Sequence, residues 1–260
     1  SKTSKGRAIQ NLINIEQDDK VKAFICTKDL KDEDYINSHY VIMATKKGQV
    51  KKTSLEQYSR PRSNGINAIT IKENDELLEA KLTDGNSQVM LALKSGKAIR
   101  FEEAKTRPMG RNASGVRGIR LQHDNDEVIG MVSVNDMESN ILVVSSNGYG
   151  KRSRLEDYRI TNRGGKGVKT ISITEKTGDL VAIKNVDDTN GLMIINKSGI
   201  AIRMAVKNLR VMGRATQGVK LINLKESDSI AAVAKVVHEE DEENHEDNIE
   251  IIEENNSNEE

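Results

Sequence analysis

Aromatic and apolar residues are scarce in this chain of 260 residues. It has no Trp, two Phe and five Tyr, and only 36% of its residues are hydrophobic. Proteins that bind single-stranded nucleic acids without sequence preference stack the bases on exposed aromatic side chains, so this composition argues against that class. The low apolar fraction and 31% charged residues predict several small units with much surface rather than one thick core.

Cysteine, proline and long apolar runs are equally rare. The single Cys26 excludes an intrachain disulfide framework and is typical of a reducing cytoplasm. The apolar runs are far too short to cross a bilayer as helices. The four histidines are scattered and Cys26 has no partner at ligand spacing, so we predict neither a metal site nor a bound cofactor.

The net charge of zero hides an uneven distribution of charge. Residues 239–260 contain 12 acidic residues and no Lys or Arg, which leaves 40 basic and 28 acidic residues, a net charge of +12, in residues 1–238. Acidic runs of this kind are usually disordered, so we predict a disordered acidic tail over 239–260. It either keeps the protein soluble or imitates a polyanion that binds the basic body.

Two series of glycines reveal an internal repeat. The turn glycines are 48, 52 and 51 residues apart, and a second series has spacings of 50, 52 and 51. We therefore predict four full repeats over 39–87, 88–139, 140–190 and 191–238. The two series are Gly48, Gly96, Gly148 and Gly199, and Gly65, Gly115, Gly167 and Gly218.

Each repeat is predicted to contain four short strands. In the first repeat an apolar strand at 41–45 and a second strand at 49–53 flank a Lys-Gly turn, which suits a hairpin. The third and fourth strands, at 66–71 and 77–82, alternate apolar and polar residues, as half-buried strands do. Four-stranded units of this length predict a propeller-like ring of blades, with an all-β solenoid or two sandwiches as the alternatives.

The first 38 residues resemble the back half of one more repeat. Residues 8–15 and 21–27 take the places of its third and fourth strands. Because the sequence begins with Ser1 inside a repeat, we expect it to be a piece of a longer protein.

One basic, glycine-marked loop recurs in every repeat. We name these segments basic loops 1 to 4: residues 60–65, 107–115, 159–167 and 210–218. Equivalent positions in a ring of blades lie along one circumference, so the loops predict a continuous basic track for a polyanion; the alternative is a set of solvated surface charges. The loops and adjoining strands give the candidate DNA-binding residues Lys51, Lys52, Arg60, Arg62, Arg100, Arg107, Arg111, Arg117, Lys151, Arg152, Arg159, Arg163, Gly164, Gly165, Lys166, Gly167, Lys169, Arg203, Arg210 and Arg214.

This track is expected to contact phosphates rather than bases. No segment has the pattern of a recognition helix, and the scarcity of aromatic residues favours duplex DNA over single strands. The Gly-Gly-Lys-Gly run at 164–167 is not a nucleotide-binding phosphate loop, because Gly167 follows Lys166 where that motif has Ser or Thr.

Four segments and the repeat period together carry a resemblance to a known family: residues 46–53, 109–121, 147–152 and 212–219. From residue 4 to residue 237 the chain resembles the C-terminal domain of bacterial DNA gyrase A. The resemblance implies a β-pinwheel, a propeller variant in which neighbouring units exchange strands.

The resemblance also implies chiral wrapping of double-stranded DNA around the basic rim. This wrapping serves ATP-dependent negative supercoiling by a bacterial, cytoplasmic, nucleoid-associated heterotetramer of two A and two B subunits. Cleavage, ATP and Mg²⁺ then belong elsewhere in that complex, and this part of it is non-catalytic.

One departure from the family pattern concerns its signature box, Gln-Arg-Arg-Gly-Gly-Lys-Gly. Residues 163–167 match its last five positions, but Thr161 and Asn162 stand where Gln and Arg are expected, and the match falls in a later repeat. The alternatives are the homologous domain of topoisomerase IV and a protein-binding propeller. A propeller of the WD40 type would carry Trp-Asp marks, and this chain has no Trp.

Overall fold

The computed structural model describes Gly6 and residues 19–62, 64–225 and 227–237. Within these residues the chain is nearly all β, as predicted. It has fifteen strands, four short 3₁₀ helices and one α-helix, α1 (Glu33–Ser38). No helix in this part of the chain is long and apolar enough to cross a membrane. The predicted acidic tail and the predicted strand at 8–15 lie outside the described residues.

The strands follow the repeat pattern along the chain. Each repeat contributes a hairpin of two strands and one long closing strand, and from the second repeat onward a two-residue strand lies between them. In chain order they are β1 (Tyr40–Thr45), β2 (Gln49–Ser54), β3 (Leu77–Thr83), β4 (Gln88–Leu93), β5 (Lys97–Glu102), β6 (Val116–Arg117), β7 (Val128–Val134), β8 (Asn140–Ser145), β9 (Tyr149–Arg154), β10 (Val168–Lys169), β11 (Leu180–Val186), β12 (Asn190–Asn196), β13 (Ala201–Ala205), β14 (Val219–Lys220) and β15 (Ile230–Val237).

The hairpins form where the sequence predicts them. The first strand of each pair is rich in aliphatic residues that fit a buried pleated surface, and a glycine follows at the turn. Gly48 has a φ of +84° and donates its N–H to the carbonyl of Thr45 at 3.0 Å. Glycine adopts this left-handed conformation without steric cost, so the turn glycine fixes the register of the hairpin.

Three of the four sheets contain a strand from the following repeat. Their orders are β3-β1-β2-β6, β10-β5-β4-β7 and β11-β8-β9-β14. In each sheet three strands belong to one repeat, and the short outermost strand comes from the next. This exchange is the β-pinwheel arrangement that the resemblance implies, and it joins successive repeats through backbone hydrogen bonds.

In the described part of the chain the fourth sheet has three strands, in the order β13-β12-β15. Among the described residues no strand pairs with the outer edge of β13. Its burial is correspondingly lower than that of the equivalent strands, since β2, β5 and β9 each have four buried residues and β13 has one.

The hydrophobic core lies between successive sheets. Met90 and Val132 of the second repeat share one buried cluster with Ile141 and Leu180 of the third. Ile42 and Val50 of the first repeat likewise form a cluster with residues of the second. Because each sheet buries its faces against its neighbours, the repeats stabilise one another, as in other stacked repeat architectures.

Two sequence predictions about strands are wrong. The sequence predicts a third strand of six residues in each repeat, at 66–71 in the first. Residues 66–71 form no strand, and the counterparts shrink to the two residues of β6, β10 and β14. Each counterpart pairs with the preceding repeat's sheet for two residues, and the N–H that follows bonds to the turn glycine of that repeat, as Gly118 does to Gly48. Residues 21–27 also form no strand, because no described hairpin lies beside them to complete a ladder.

A short 3₁₀ helix follows the second strand of every repeat, a feature that the sequence analysis missed. It connects the end of the hairpin to the basic loop. The four 3₁₀ helices are Leu55–Tyr58, Glu103–Lys105, Leu155–Asp157 and Val206–Asn208.

Gly115 and Gly65 offer a matched test of the exchange junction. Both have positive φ, +85° and +77°, but a Cβ at Gly115 would lie 2.5 Å from the carbonyl oxygen of Val50, whereas a Cβ at Gly65 meets no atom within 4 Å. We expect Gly65→Ala to cost about 1 kcal/mol of backbone strain. Gly115→Ala, which also clashes with the junction, should cost about 3 kcal/mol. Urea unfolding of both variants measures the difference, and equal losses would contradict the packed junction.

Candidate nucleic-acid interface

Basic loops 2, 3 and 4 lie along the outer strand of the preceding repeat. Met109 donates its N–H to the carbonyl of Lys52 at 2.7 Å, and single parallel bridges join Lys52 to Pro108, Arg100 to Ile160 and Arg152 to Val211. The bond from Met109 recurs in the next two repeats, from Thr161 to Arg100 and from Met212 to Arg152, both at 2.9 Å. Each loop is therefore fixed at its beginning in the same way.

The far end of each loop is anchored at the turn glycine of the preceding repeat. The N–H of Gly118 donates to the carbonyl of Gly48 at 2.8 Å. Between these two anchors the loop crosses the edge of the preceding repeat's sheet. Backbone hydrogen bonds therefore set the position of the loop relative to that repeat. The equivalent bonds, also at 2.8 Å, run from Thr170 to Gly96 and from Leu221 to Gly148.

Five of the predicted DNA-binding cations do not face solvent. The sequence analysis placed them on the basic track because they follow the turn glycines, and this surface position is wrong. The relative exposures are 0% for Lys51, 4% for Lys52, 8% for Arg100, 1% for Lys151 and 7% for Arg152. The reason is tertiary: the basic loop of the next repeat covers the strand that carries them.

Three of these buried cations hold the neighbouring 3₁₀ helix. Arg100 donates through Nη1 to the carbonyls of Leu155 and Tyr158, at 2.7 and 2.9 Å. The carbonyl of Tyr158 follows the helix and has no partner within it, so a buried cation from the preceding repeat satisfies it. Similar contacts run from Lys52 Nζ to the carbonyl of Glu103 and from Arg152 Nε to the carbonyl of Leu209.

The other two buried cations hold basic loops. Lys51 Nζ donates to the carbonyl of Arg111 in basic loop 2, and Lys151 Nζ donates to the carbonyl of Gly213 in basic loop 4. The second repeat has Ile99 at the equivalent position, beneath Gly165 of basic loop 3. A Cβ built on Gly165 would lie 3.5 Å from Cδ1 of Ile99, an ordinary van der Waals contact. Lysine and isoleucine thus alternate as supports beneath the loops.

Burial shifts the pKa of both lysines downward. Desolvation lowers the pKa of Lys51 from 10.5 to about 8, and the nearby positive charge of Arg111 acts in the same direction. Desolvation also lowers the pKa of Lys151 to about 8, against the opposing effect of Asp157. Loss of a proton from either lysine would remove a charge that helps to orient a basic loop.

The remaining predicted cations lie on the surface. Arg111, Arg163 and Arg214 are half-buried and the others are exposed. One exposed cation was missed: Lys220 occupies the same position in β14 as Arg117 in β6 and Lys169 in β10, and aligning the repeats would have found it. With Lys220 the exposed set is Arg60, Arg62, Arg107, Arg117, Arg159, Lys166, Lys169, Arg203, Arg210 and Lys220.

Hydrogen bonds connect basic loops 2, 3 and 4 to the segment that follows the preceding basic loop. Arg163 donates through Nη1 to the carbonyl of Arg117, and Arg214 donates through Nη1 to the carbonyl of Lys169, at 3.2 and 2.7 Å. Backbone bonds from Thr70 to Ala113, from Arg120 to Gly165 and from Ser172 to Thr216 continue the series. The exposed cations, apart from Arg203 on β13, therefore lie on basic loops and the segments that follow them, which these bonds connect into one row.

The box-like segment is part of this row. Gly164 and Gly167 have positive φ, +82° and +71°, and Gly164 donates its N–H to the carbonyl of Gly118 at 2.5 Å. Gly165 and Lys166 are exposed. The three glycines thus hold the loop close to the second repeat while Lys166 points its charge outward.

The described residues contain no group of three or more His, Cys, Asp or Glu side chains that could hold a metal ion. The exposed set of cations supplies fixed positive charges, which suit phosphate oxygens.

The lowered pKa of Lys151 gives stability a measurable pH dependence. Between about pH 8 and the usual lysine value of 10.5, the unfolded chain binds more protons at this residue than the folded chain, so the free energy of unfolding rises with pH in that window. We expect Lys151→Met to abolish this contribution. Its free energy of unfolding, measured with urea, should therefore rise less between about pH 8 and about pH 9.5 than that of the native chain. Lys197→Met, at an exposed position, is the control; equal rises in all three proteins would contradict the assignment.

Comparison with known proteins places this arrangement in a family. A family model described as DNA gyrase C-terminal domain, beta-propeller, matches residues 39–84, 89–135, 139–187 and 192–236. The DNA gyrase A protein of Staphylococcus epidermidis is 43% identical over 242 residues, which are 93% of this chain and 26% of the relative. The same protein of Staphylococcus aureus is 42% identical over 245 residues, 94% of this chain and 27% of the relative. The chain thus spans about a quarter of their length.

Solved structures show the same fold. The crystal structure of the C-terminal domain of DNA topoisomerase IV has a TM-score of 0.81 at 23% identity and covers 89% of this chain and 71% of that chain. The structure of the DNA gyrase A C-terminal domain has a TM-score of 0.78, also at 23% identity, and covers 90% and 76%. Because the family model matches all four repeats, the chain belongs to the DNA gyrase C-terminal domain family.

Proposed function

We propose that this chain binds duplex DNA without sequence preference and wraps it around the row of basic loops. The observation that carries this proposal is the connected row itself: equivalent loops, fixed in the same way on successive repeats, present exposed cations at a regular interval. Isolated surface charges would not require backbone anchors at both ends of basic loops 2, 3 and 4.

The ligand contacts are with the phosphate backbone. The exposed side chains of the row are Arg and Lys on loops and two-residue strands, which can approach phosphates but have no rigid element to insert into the major groove. Among the described residues the single α-helix has six residues and lies outside the row. Affinity then comes mainly from counterion release and depends strongly on salt.

We infer wrapping from the propeller arrangement that the family description names. Equivalent loops of a ring of blades lie on one circumference, so a duplex that contacts them in turn must bend. Bending 20–30 bp of duplex by 40–90° costs on the order of 1–6 kcal/mol. Contacts from several loops together can offset this cost, whereas one loop cannot.

The wider role follows from the family. We infer that the wrapped segment serves negative supercoiling by a gyrase complex of two A and two B subunits in the bacterial cytoplasm, the role that its relatives' name suggests. DNA cleavage and the use of ATP and Mg²⁺ are assigned to other parts of that complex. This chain contributes binding and geometry and no catalytic residue.

Removing cations from basic loop 3 tests the contact surface. If the ten exposed cations each neutralise one phosphate, log K falls against log salt with a slope of about −9. We expect the double variant Arg159→Gln, Lys166→Gln to bind duplex DNA more weakly and to reduce the slope by about 2. The control Lys28→Gln, Lys31→Gln removes the same charge from exposed positions outside the loops. Equal losses of affinity in both variants would mean that only net charge matters.

Chiral wrapping has a separate test. Relaxed closed-circular plasmid is incubated with the chain and treated with a nicking-closing enzyme, and the change in linking number is read on a gel across a salt series. We expect a positive shift that increases with protein and decreases with salt. Salt-sensitive binding without any shift would retain the contact surface and contradict wrapping by this chain.

A further inference from the structure

Basic loops 2, 3 and 4 each have an exposed apolar residue directly after their first arginine. These three residues, which we name the rim residues, are Pro108, Ile160 and Val211. Pro108 is exposed, and the relative exposures of Ile160 and Val211 are 48% and 42%. Single exposed apolar residues are common on protein surfaces. A position that is apolar and exposed in three successive repeats is instead a property of the repeat.

The backbone holds each rim residue in place. Every rim residue forms the single parallel bridge that joins its loop to a buried cation of the preceding repeat. The residue that follows it donates its N–H to the carbonyl of the same cation, at 2.7 to 2.9 Å. The rim residues are therefore presented on fixed backbone, at the point where each loop is anchored.

The residue types at this position are stiff as well as apolar. Proline fixes its own φ, and branching at Cβ restricts χ1 of Ile and Val. The extended backbone of a bridge favours β-branched residues, but Thr is equally branched and would interact better with water. A stiff apolar side chain on fixed backbone loses little conformational freedom when it is inserted into a ligand.

An exposed arginine precedes every rim residue. These arginines are Arg107, Arg159 and Arg210. A cation beside an exposed apolar residue is the combination with which architectural proteins bind the minor groove of DNA. Such proteins place Arg or Lys in the groove and insert an apolar side chain, Ile and Pro among them, between two base pairs, which bends the duplex.

We propose that the rim residues insert into the minor groove of the bound duplex, partially unstack a base-pair step and kink the DNA. This inference rests on the duplex binding proposed above, and it adds an apolar contact to the phosphate contacts. Pyrimidine–purine steps unstack most easily, so the insertion favours deformable steps without reading any base by hydrogen bonds. Kinks at the loops concentrate the bend there, so the duplex between the loops bends less.

A pair of duplexes tests the insertion with the 260-residue chain. The duplexes have equal length, and one carries a central tandem mismatch, which is easier to unstack. Phosphate contacts are the same in both, so only insertion or bending distinguishes them. We expect the native chain to bind the mismatched duplex about tenfold more tightly. The double variant Ile160→Ser, Val211→Ser should reduce this ratio to about threefold or less. Its slope of log K against log salt should equal that of the native chain, because no cation is removed.

Two control variants separate insertion from a general effect of the substitutions. Ile160→Leu keeps a branched apolar side chain and should retain the native preference for the mismatched duplex. The double variant Phe24→Ser, Ile200→Ser removes as many exposed apolar side chains outside the row, at relative exposures of 80% and 49%. It should also retain the native preference.

Permanganate oxidation distinguishes insertion from bending alone, because it attacks thymines that are unstacked. We expect the native chain to increase the reactivity of thymines at pyrimidine–purine steps of a fully matched duplex, and Ile160→Ser, Val211→Ser to lose most of this increase.

The outcomes for insertion and for DNA binding are distinct. Binding of the native chain with equal affinity for the two duplexes would overturn insertion and leave the proposed function standing. A mismatch preference or a permanganate signal that persists unchanged in Ile160→Ser, Val211→Ser would do the same. Failure of the native chain to bind either duplex at low salt would contradict the proposed function, and insertion with it.

Discussion

Every repeat depends on backbone hydrogen bonds that its neighbour supplies. A sheet of three strands leaves a row of N–H and C=O groups without partners at its edge, and such groups are unfavourable when covered without a partner. Here the following repeat supplies a two-residue strand, a parallel bridge and a bond to the turn glycine. Three sheets are completed in this way. The exchange sets the spacing of the repeats and the position of each basic loop.

The same constraint divides the positive charges into two groups. Cations that follow the turn glycines on β2, β5 and β9 are covered by the next repeat's loop, and they donate to its carbonyls or to those of its 3₁₀ helix. Most cations on the loops, and those on β6, β10 and β14, remain exposed. Buried cations therefore stabilise the loops from beneath, while exposed cations are available for a polyanion. Substituting a buried cation would alter the interface without removing a contact to the ligand.

Much of this could be predicted from the sequence, because the repeat constrains every element. The glycine spacing, the hairpins and the location of the basic loops follow from local pattern: positive φ requires glycine at the turn, and alternation marks the closing strands. The missed elements are those without a local signal. The 3₁₀ helix at Leu155–Asp157 carries no periodic pattern. The length of the third strand is set by its ladder to the preceding repeat's sheet, which for β10 and β5 has two residue pairs.

The sequence by itself determined the period of the repeats, the all-β class and the concentration of charge on one loop in each repeat, since these properties reside in residue type and spacing. Only the tertiary structure decided which cations reach solvent. Lys51 and Lys166 are the same residue type, and both were predicted to contact DNA, but Lys51 is fully buried and Lys166 is exposed. They differ because the next repeat's basic loop covers the strand that carries Lys51. Backbone pairing between the two repeats sets the position of that loop. Arg111, the loop residue that Lys51 contacts, is roughly 60 residues away in the chain. A pairing partner so distant leaves no trace in local spacing.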